Sequence, residues 1–418
     1  MKYVIIGNSA AAVGAVEGIR KHDRTGEITI ISDEPQHTYS RPLISYLLRG
    51  DVAAESMRYR PKSFYADNAC TVRLGMRAVA IDATAKYVLL ADGERVAYDK
   101  LLVATGSAPS NPTFEGLDTV KSRHTFMSCD DAVRLGEAIN EASRVLIIGS
   151  GLIGLKCAEG IAARVASVTV AARAPSILTR ILDAHGASRI QAHIEDCGII
   201  VKTNCNITRF DDNTAYADNG EKIAFDVLVT AVGVRPNVEL LQGIAAIERG
   251  VLVNAKSETT AADIYAAGDC TQTRDVVSGD SRTMALLPNA YMQGEVAGVN
   301  MATSNPANAE SERGNAEFNT AMMMNAVGFF GLHVITAGNY NGATIAMENE
   351  SSYRRFFYSE NRLIGFILIG DVEKAGIYTT LIRKRTPLDS IDFALVCEKP
   401  GLMAFTRADR AAVLGGAV

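Results

Sequence analysis

Apolar residues in this chain come in short, strand-length runs, and the clearest of these runs stop at or just before a glycine. "YVII" (3–6) halts at Gly7, "RVLII" (144–148) at Gly149, "KLLVAT" (100–105) at Gly106 and "DIYAA" (263–267) at Gly268. A run of four to six mostly apolar residues bounded by a glycine reads as a parallel strand buried on both faces. After Gly7 and again after Gly149 the pattern switches at once to helical spacing, in "AAAVGAVEGIR" and "LIGLKCAEGI". Strand, tight turn and helix, met twice, predict two doubly wound α/β lobes.

The second turn carries Gly149, Gly151 and Gly154 in full G-x-G-x-x-G spacing. The first glycine permits the tight turn, the second lets backbone approach a pyrophosphate, and the third lets helix and strand pack closely. The following helix, opening with Leu152 and Ile153, offers its unpaired N–H groups and positive dipole end to the phosphates. The first turn has Gly7 but puts Ser9 and Ala12 at the other two positions, followed on the helix by Ala10 and Ala11. All are small enough for close backbone approach, so the pair predicts two dinucleotide sites.

Each lobe also predicts a second strand ending near a ribose. "EITIISDEP" ends in Asp33 and Glu34, 26 and 27 residues after Gly7, and either carboxylate can accept hydrogen bonds from ribose hydroxyls. "SVTVAARAP" ends in Ala171, Ala172 and Arg173, without an acid. Arg173 can meet a 2′-phosphate, which opens NADP(H), or it can lie over the adenine or in solvent. Ala104, Thr105 and Gly106 end one further strand, and Gly268 and Asp269 end another. The Asp269 carboxylate is suited there to sugar or ribityl hydroxyls.

Length and charge narrow the field. A chain of 418 residues predicts two or three domains. A net charge of −5 argues against nucleic acid as the main partner. No apolar run reaches the roughly 18 residues of a membrane span, and a strand starting at residue 3 leaves no room for a signal peptide, so the expected location is the cytoplasm. Seven cysteines (70, 129, 157, 197, 205, 270 and 397) include no C-x-x-C pair, and the six histidines are dispersed. The expectation is reduced thiols, no metal centre, and packing roles for His185 and His193.

These motifs resemble the two-dinucleotide-domain flavoproteins, which include NADH-dependent ferredoxin and rubredoxin reductases, NADH oxidases and disulfide reductases. The resemblance rests on the Gly7 turn, "YSRPLIS" (39–45), "VATGSAP" (103–109), the Gly149 turn, "AVGVRPN" (231–237) and "YAAGDC" (265–270), in family order. It implies FAD on the first lobe and NAD(H) on the second, with Arg41, Pro42, Val79 and Gly233 added to the cofactor-binding residues. It also implies one Rossmann-like domain inserted in the other. The FAD domain would be 1–110 plus 236–315 and the NAD(P) domain 111–235, followed by a C-terminal α+β interface domain, 316–418. The polar stretch 302–316 reads as a surface connection. "SYRRFFYSENRLIGFILIGD" (352–371) reads as two strands joined at Glu360–Asn361, with a helix from about Val372 to Arg385. Such a domain serves a homo-oligomer or docks a partner.

A narrower resemblance, in "VIIGNSAAAVGAVEGIR", "YSRPLISYLLRG", "FFGLHVITAG" and "LIGFILIGD", is to flavoprotein subunits of phenylglyoxylate-type 2-oxoacid oxidoreductases. It implies iron–sulfur (ferredoxin-like) subunits and a catalytic dehydrogenase subunit as partners. The alternatives are a free-standing NADH:ferredoxin or rubredoxin reductase and a redox-silent FAD-binding structural subunit.

Two departures from the family sharpen the chemistry. Disulfide reductases carry a C-x4-C pair beside the flavin, and peroxide-reducing relatives carry one cysteine near Pro42; this chain has neither. No thiol is therefore expected to relay electrons. Ferredoxin reductases carry glutamate where this chain has Lys156 and lysine near Tyr46. A buried lysine needs an anion, so Lys156 should pair with another carboxylate or balance negative charge on a bound flavin beside the nicotinamide.

Overall fold

The computed structural model describes residues 1–110, 112–304 and 316–401. They divide into two units: Met1–Pro175, Gly198–Arg274 and Asp280–Ala321 form the first, and Ser176–Cys197, Asp275–Gly279 and the chain from Met322 form the second. Residues 305–315, the middle of the polar stretch expected to be a surface connection, lie outside the described residues.

The first unit holds two sheets of one design. In the N-terminal lobe five parallel strands lie in the order Ile264–Ala266, Lys100–Val103, Lys2–Ile6, Glu27–Ile31 and Cys70–Arg73. Along Lys2–Ile6 the side chains alternate between two cores. Tyr3 and Ile5 pack with Val13, Val16 and Ile19 of the helix Ala10–His22, while Val4 and Ile6 pack with Val88, Leu101 and Val103. Both faces are covered, which is why the strand reads as a continuous apolar run. The inserted lobe repeats the plan with Ile199–Lys202, Ser167–Ala171, Arg144–Ile148, Val227–Thr230 and Arg123–His124, all parallel.

Each lobe also carries a three-stranded antiparallel meander just before its return strand, at 78–97 and at 207–224. The lobes are joined by a two-stranded ribbon in which Ser107–Pro109 pairs with Val234–Pro236. At its root Asn237 clasps Thr105: Asn237 Nδ2 donates to Thr105 O (2.9 Å) and Thr105 Oγ1 donates to Asn237 O (2.7 Å). The chain thus leaves the first lobe and re-enters it through one hydrogen-bonded hinge.

In the second unit five antiparallel strands lie in the order Met324–Phe329, Leu332–Gly338, Arg362–Ile369, Tyr353–Ser359 and Ala343–Glu348, with the helix Ala375–Arg383 packed on the sheet. The expected hairpin at 352–371 is present, and its helix is shorter at both ends than 372–385. The segment Ser176–Cys197, inside the stretch assigned by sequence to the second lobe, groups with this unit. Its helix Ala184–Asp196 is capped by Asp183, which also accepts from Tyr353 Oη (2.6 Å) and Arg355 Nη1 (2.5 Å). His185 and His193 contact Glu348 and the Phe329 carbonyl, so both have packing roles here.

Candidate functional site

Both glycine-rich turns are built from the same strand-end geometry. Gly7 and Gly149 have φ of +121° and +114°. A Cβ on Gly7 would stand 2.1 Å from Ala104 O, and one on Gly149 would stand 2.2 Å from Ala231 O. In each case the blocking carbonyl belongs to the residue that follows the neighbouring strand. Left-handed backbone and a carbonyl at contact distance together admit only glycine.

The helices that follow start at Ser9 and Gly151, neither of which caps its helix with a side chain. Each helix therefore begins with N–H groups that an anion can satisfy. Nothing lies within 4 Å of the Cβ position at Gly151, whereas a Cβ on Gly154 would meet Gly149 O at 2.0 Å. The middle glycine faces open space and the last one allows helix and strand to touch. Leu152 and Ile153 are half-buried in the first turn of this helix.

Several expected residues gather around the first turn. Ala10 and Ala11 are buried at the start of the helix, and the Cβ position of Gly268 lies 3.3 Å from that of Ala11. Asp269 accepts from Ser107 Oγ at 3.0 Å, and burial raises its carboxyl above the ordinary value. A half-buried carboxylate with acceptor capacity to spare suits a polyol. Arg41 opens the short 3-10 turn Arg41–Leu43 that contains Pro42; its guanidinium pairs with Glu34 and lies in the electrostatic field of Asp269. Glu34 also accepts from Tyr39 Oη (2.6 Å), so its carboxylate is engaged inside the protein, while Asp33 is exposed. Val79 is 47% exposed on the meander strand Ala78–Asp82.

Around the second turn, Gly233 (φ +117°) follows Ala231 and Val232 into the ribbon. Arg173 stands exposed just past the strand Ser167–Ala171, and Asp33 holds the corresponding place past Glu27–Ile31. Ala172 N bonds to Lys202 O as Ser32 N bonds to Arg73 O, so the two registers match.

Lys156 finds its anion within its own helix. Its ammonium pairs with Glu159, three residues on, and lies 4.8 Å from the centre of the Tyr46 ring. Glu159 is 5% exposed and also accepts from Arg49 Nη1 at 3.1 Å. Tyr46 and Arg49 belong to the helix Ile44–Arg49, which meets the Leu152–Ile161 helix where Gly160 faces Ser45 O. Sequence reading missed Glu159, Arg49 and Ser107. The first two were marked only by helical spacing from residues already singled out.

None of the seven cysteines is paired in a disulfide. Burial pushes Cys70 and Cys270 up to about 11 and raises Cys157 further. Among the described residues no cluster of His, Cys, Asp or Glu could hold a metal ion, and no helix is long and apolar enough to cross a membrane.

Comparison with known proteins agrees with this geometry. Residues 1–294 match the pyridine nucleotide-disulphide oxidoreductase family, and residues 324–386 match the rubredoxin NAD+ reductase C-terminal domain. The chain is 32% identical to the NADH-dependent phenylglyoxylate dehydrogenase subunit epsilon of Aromatoleum evansii, over 93% of this chain and 92% of that one. It is 31% identical to a rubredoxin-NAD(+) reductase of Pseudomonas putida, over 73% of this chain and 82% of that one. A chain of the covalent putidaredoxin reductase–putidaredoxin complex shares the fold, with a TM-score of 0.86, 20% identity, and 99% and 98% of the two chains covered. Paired turns of this geometry, in a chain matched by such a family over its first 294 residues, have one reading. The chain belongs to the pyridine nucleotide-disulphide oxidoreductase family and is an oxidoreductase that takes FAD and NAD(H).

Proposed function

We propose that this chain is an electron-transfer flavoprotein subunit, exchanging hydride with NAD(H) and single electrons with an iron–sulfur partner in a phenylglyoxylate-type 2-oxoacid oxidoreductase. The observation that carries the reading is the near end-to-end similarity to the Aromatoleum evansii subunit. The cysteine spacings fit it, since the chain lacks the usual cluster-binding runs and in this reading the cluster belongs to the partner.

In this reading FAD lies at the first turn, in 1–110 and 236–315, and NAD(H) at the second, in 111–235; 316–418 is the docking or oligomer interface. FAD, when bound, supplies the exchange between two-electron hydride chemistry and one-electron transfer. The protein's part is to bind, align and exclude water. Helix N-termini behind Ser9 and Gly151 hold the pyrophosphates. Asp269 accepts from ribityl hydroxyls, and Asp33 takes the adenosine ribose because Glu34 is engaged by Arg41 and Tyr39. Lys156, fixed by Glu159 and Tyr46, keeps positive charge beside the flavin and nicotinamide. NAD(H) is preferred over NADP(H), with Arg173 idle in solvent.

Two experiments test this. Anaerobic NADH should bleach the flavin of the purified chain, and affinity purification from the native cell should bring iron–sulfur and dehydrogenase subunits with it. The match at 324–386 favours a second reading, a free-standing NADH:rubredoxin reductase. Full-rate rubredoxin reduction by the chain alone, with no co-purifying subunits, would establish that reading instead.

A further inference from the structure

Gln293 lies inside the helix Leu287–Thr303 and is 3% exposed. Its Oε1 accepts from the Gly268 backbone N–H at 2.8 Å and from the Thr271 hydroxyl at 3.0 Å. The Thr271 hydroxyl lies 2.8 Å from Gly268 O as well, which closes a tight knot around the residue preceding Asp269. A backbone N–H can only donate, so the amide oxygen must face Gly268 and the amide nitrogen must point elsewhere. That nitrogen, Nε2, is buried and has no hydrogen-bond partner. Leaving such a donor unpaired forfeits its hydration without replacement, and an unpaired buried group in a native fold calls for an explanation.

Its surroundings suggest one. The Cβ position of Gly268 is 3.3 Å from Ala11, at the start of the first fingerprint helix, and 3.5 Å from Ala290, on the same helix as Gln293. The Gln293 backbone carbonyl accepts from Ser257 Oγ at 3.2 Å, which fixes this turn of the helix. The unsatisfied donor thus belongs to a residue tied by its other amide atom to the turn that presents Asp269. Rigid placement of this kind is what a ligand contact requires.

We propose that Gln293 is an FAD-binding residue: Oε1 sets the Gly268–Asp269 turn, and Nε2 donates to an oxygen of the bound dinucleotide, directly or through one bridging water. The proposal rests on the reading that FAD occupies the first fingerprint. Cofactor binding satisfies a donor that the protein alone leaves unpaired.

The test is Gln293→Glu, which keeps an acceptor toward Gly268 and Thr271 but replaces the donor with a second acceptor. Apoprotein would be titrated with FAD at pH 8 and followed by quenching of flavin fluorescence. The expected result is a rise in Kd of about tenfold or more, with the apoprotein melting temperature close to wild type. An unchanged Kd overturns the proposal. Should the Glu variant give no folded apoprotein, Gln293→Met, which removes both amide atoms, replaces it: an unchanged Kd overturns the proposal, and a rise of about tenfold or more supports it. Gly7→Val separates the two levels. Flavin lost there but bound normally by Gln293→Glu refutes only the role of Gln293; normal flavin in Gly7→Val refutes the site itself.

Discussion

The two fingerprint turns agree at their first glycine and part company at the other two. Gly7 and Gly149 differ by 7° in φ and by 0.1 Å in the approach of the blocking carbonyl. Ala104 and Ala231 even bond back to their own turns alike, to Ile6 O and Ile148 O at 2.8 Å. At the third position Gly154 has no room for a methyl, whereas Ala12 carries one and is still 1% exposed. The first helix stands far enough from its strand to hold that methyl. It makes its close contact on the opposite side, where Gly14 and Gly18 press on the carbonyls of Tyr291 and Glu295. The lesson is that the turn itself dictates one glycine. The remaining two follow from how each helix is packed, so a motif can lose them and keep its geometry.

Substitutions can break this comparison. The largest effect is expected from valine at Gly7 or Gly149, where a side chain would enter the carbonyl: each should cost more than about 4 kcal/mol. Gly7→Val should purify without flavin by its visible spectrum. Gly149→Val should lose NADH binding and keep FAD, and loss of both would show that the lobes do not fold independently. Next comes Gly151→Glu, whose Cβ enters open space and whose carboxylate sets negative charge against the phosphates. NADH affinity should fall at least tenfold, about 1.4 kcal/mol, with flavin content and melting temperature unchanged.

Gly154→Ala should cost about 1–3 kcal/mol in urea unfolding, because helix and strand must separate. Its counterpart, Ala12→Gly, should cost only about 0.5–1 kcal/mol. Equal costs would mean the two helices are packed alike after all. The smallest effect belongs to the ribose ends. Arg173→Ala should leave kcat/KM for NADH nearly unchanged and NADPH poor, and an NADPH preference in the wild type would reverse the assignment. Thiol chemistry gives one further check. Alkylation at pH 8 should reach exposed Cys197 before Cys70, whose thiol stays protonated until the pH nears about 11. Dye reduction by NADH should survive it, and rapid inactivation would put a thiol in the electron path.

Much of this was legible in the sequence, for a physical reason. Gly7, Gly149, Gly106 and Gly268 end buried parallel strands, and an apolar run broken by glycine is hard to write any other way. The anion for Lys156 was expected but not named. Glu159 stands one turn further along the same helix, and its burial became visible only once Arg49 was seen to pair with it and the Tyr46 ring to lie against the Lys156 ammonium. The two meanders were missed because short strands at 78–97 and 207–224 alternate polar and apolar residues too weakly to stand out from loop. The grouping of Ser176–Cys197 with the C-terminal sheet was equally invisible, since it depends on Asp183 meeting Tyr353 and Arg355, some 170 residues away.

The glycine-lined crossing between Ala10–His22 and Leu287–Thr303 has a consequence for synthesis. Glu17 meets Tyr291 across 274 residues of chain, and the strand Lys100–Val103 waits for Ile264–Ala266 to complete its edge. Of the two nucleotide lobes, the N-terminal one is therefore the first to leave the ribosome and the last able to close. At about 5–20 residues per second it stays open for on the order of ten seconds or more while the inserted lobe is made. During that interval Gly14 and Gly18 expose a smooth apolar helix face, and nascent chains stalled before residue 287 are expected to be the form most in need of a chaperone.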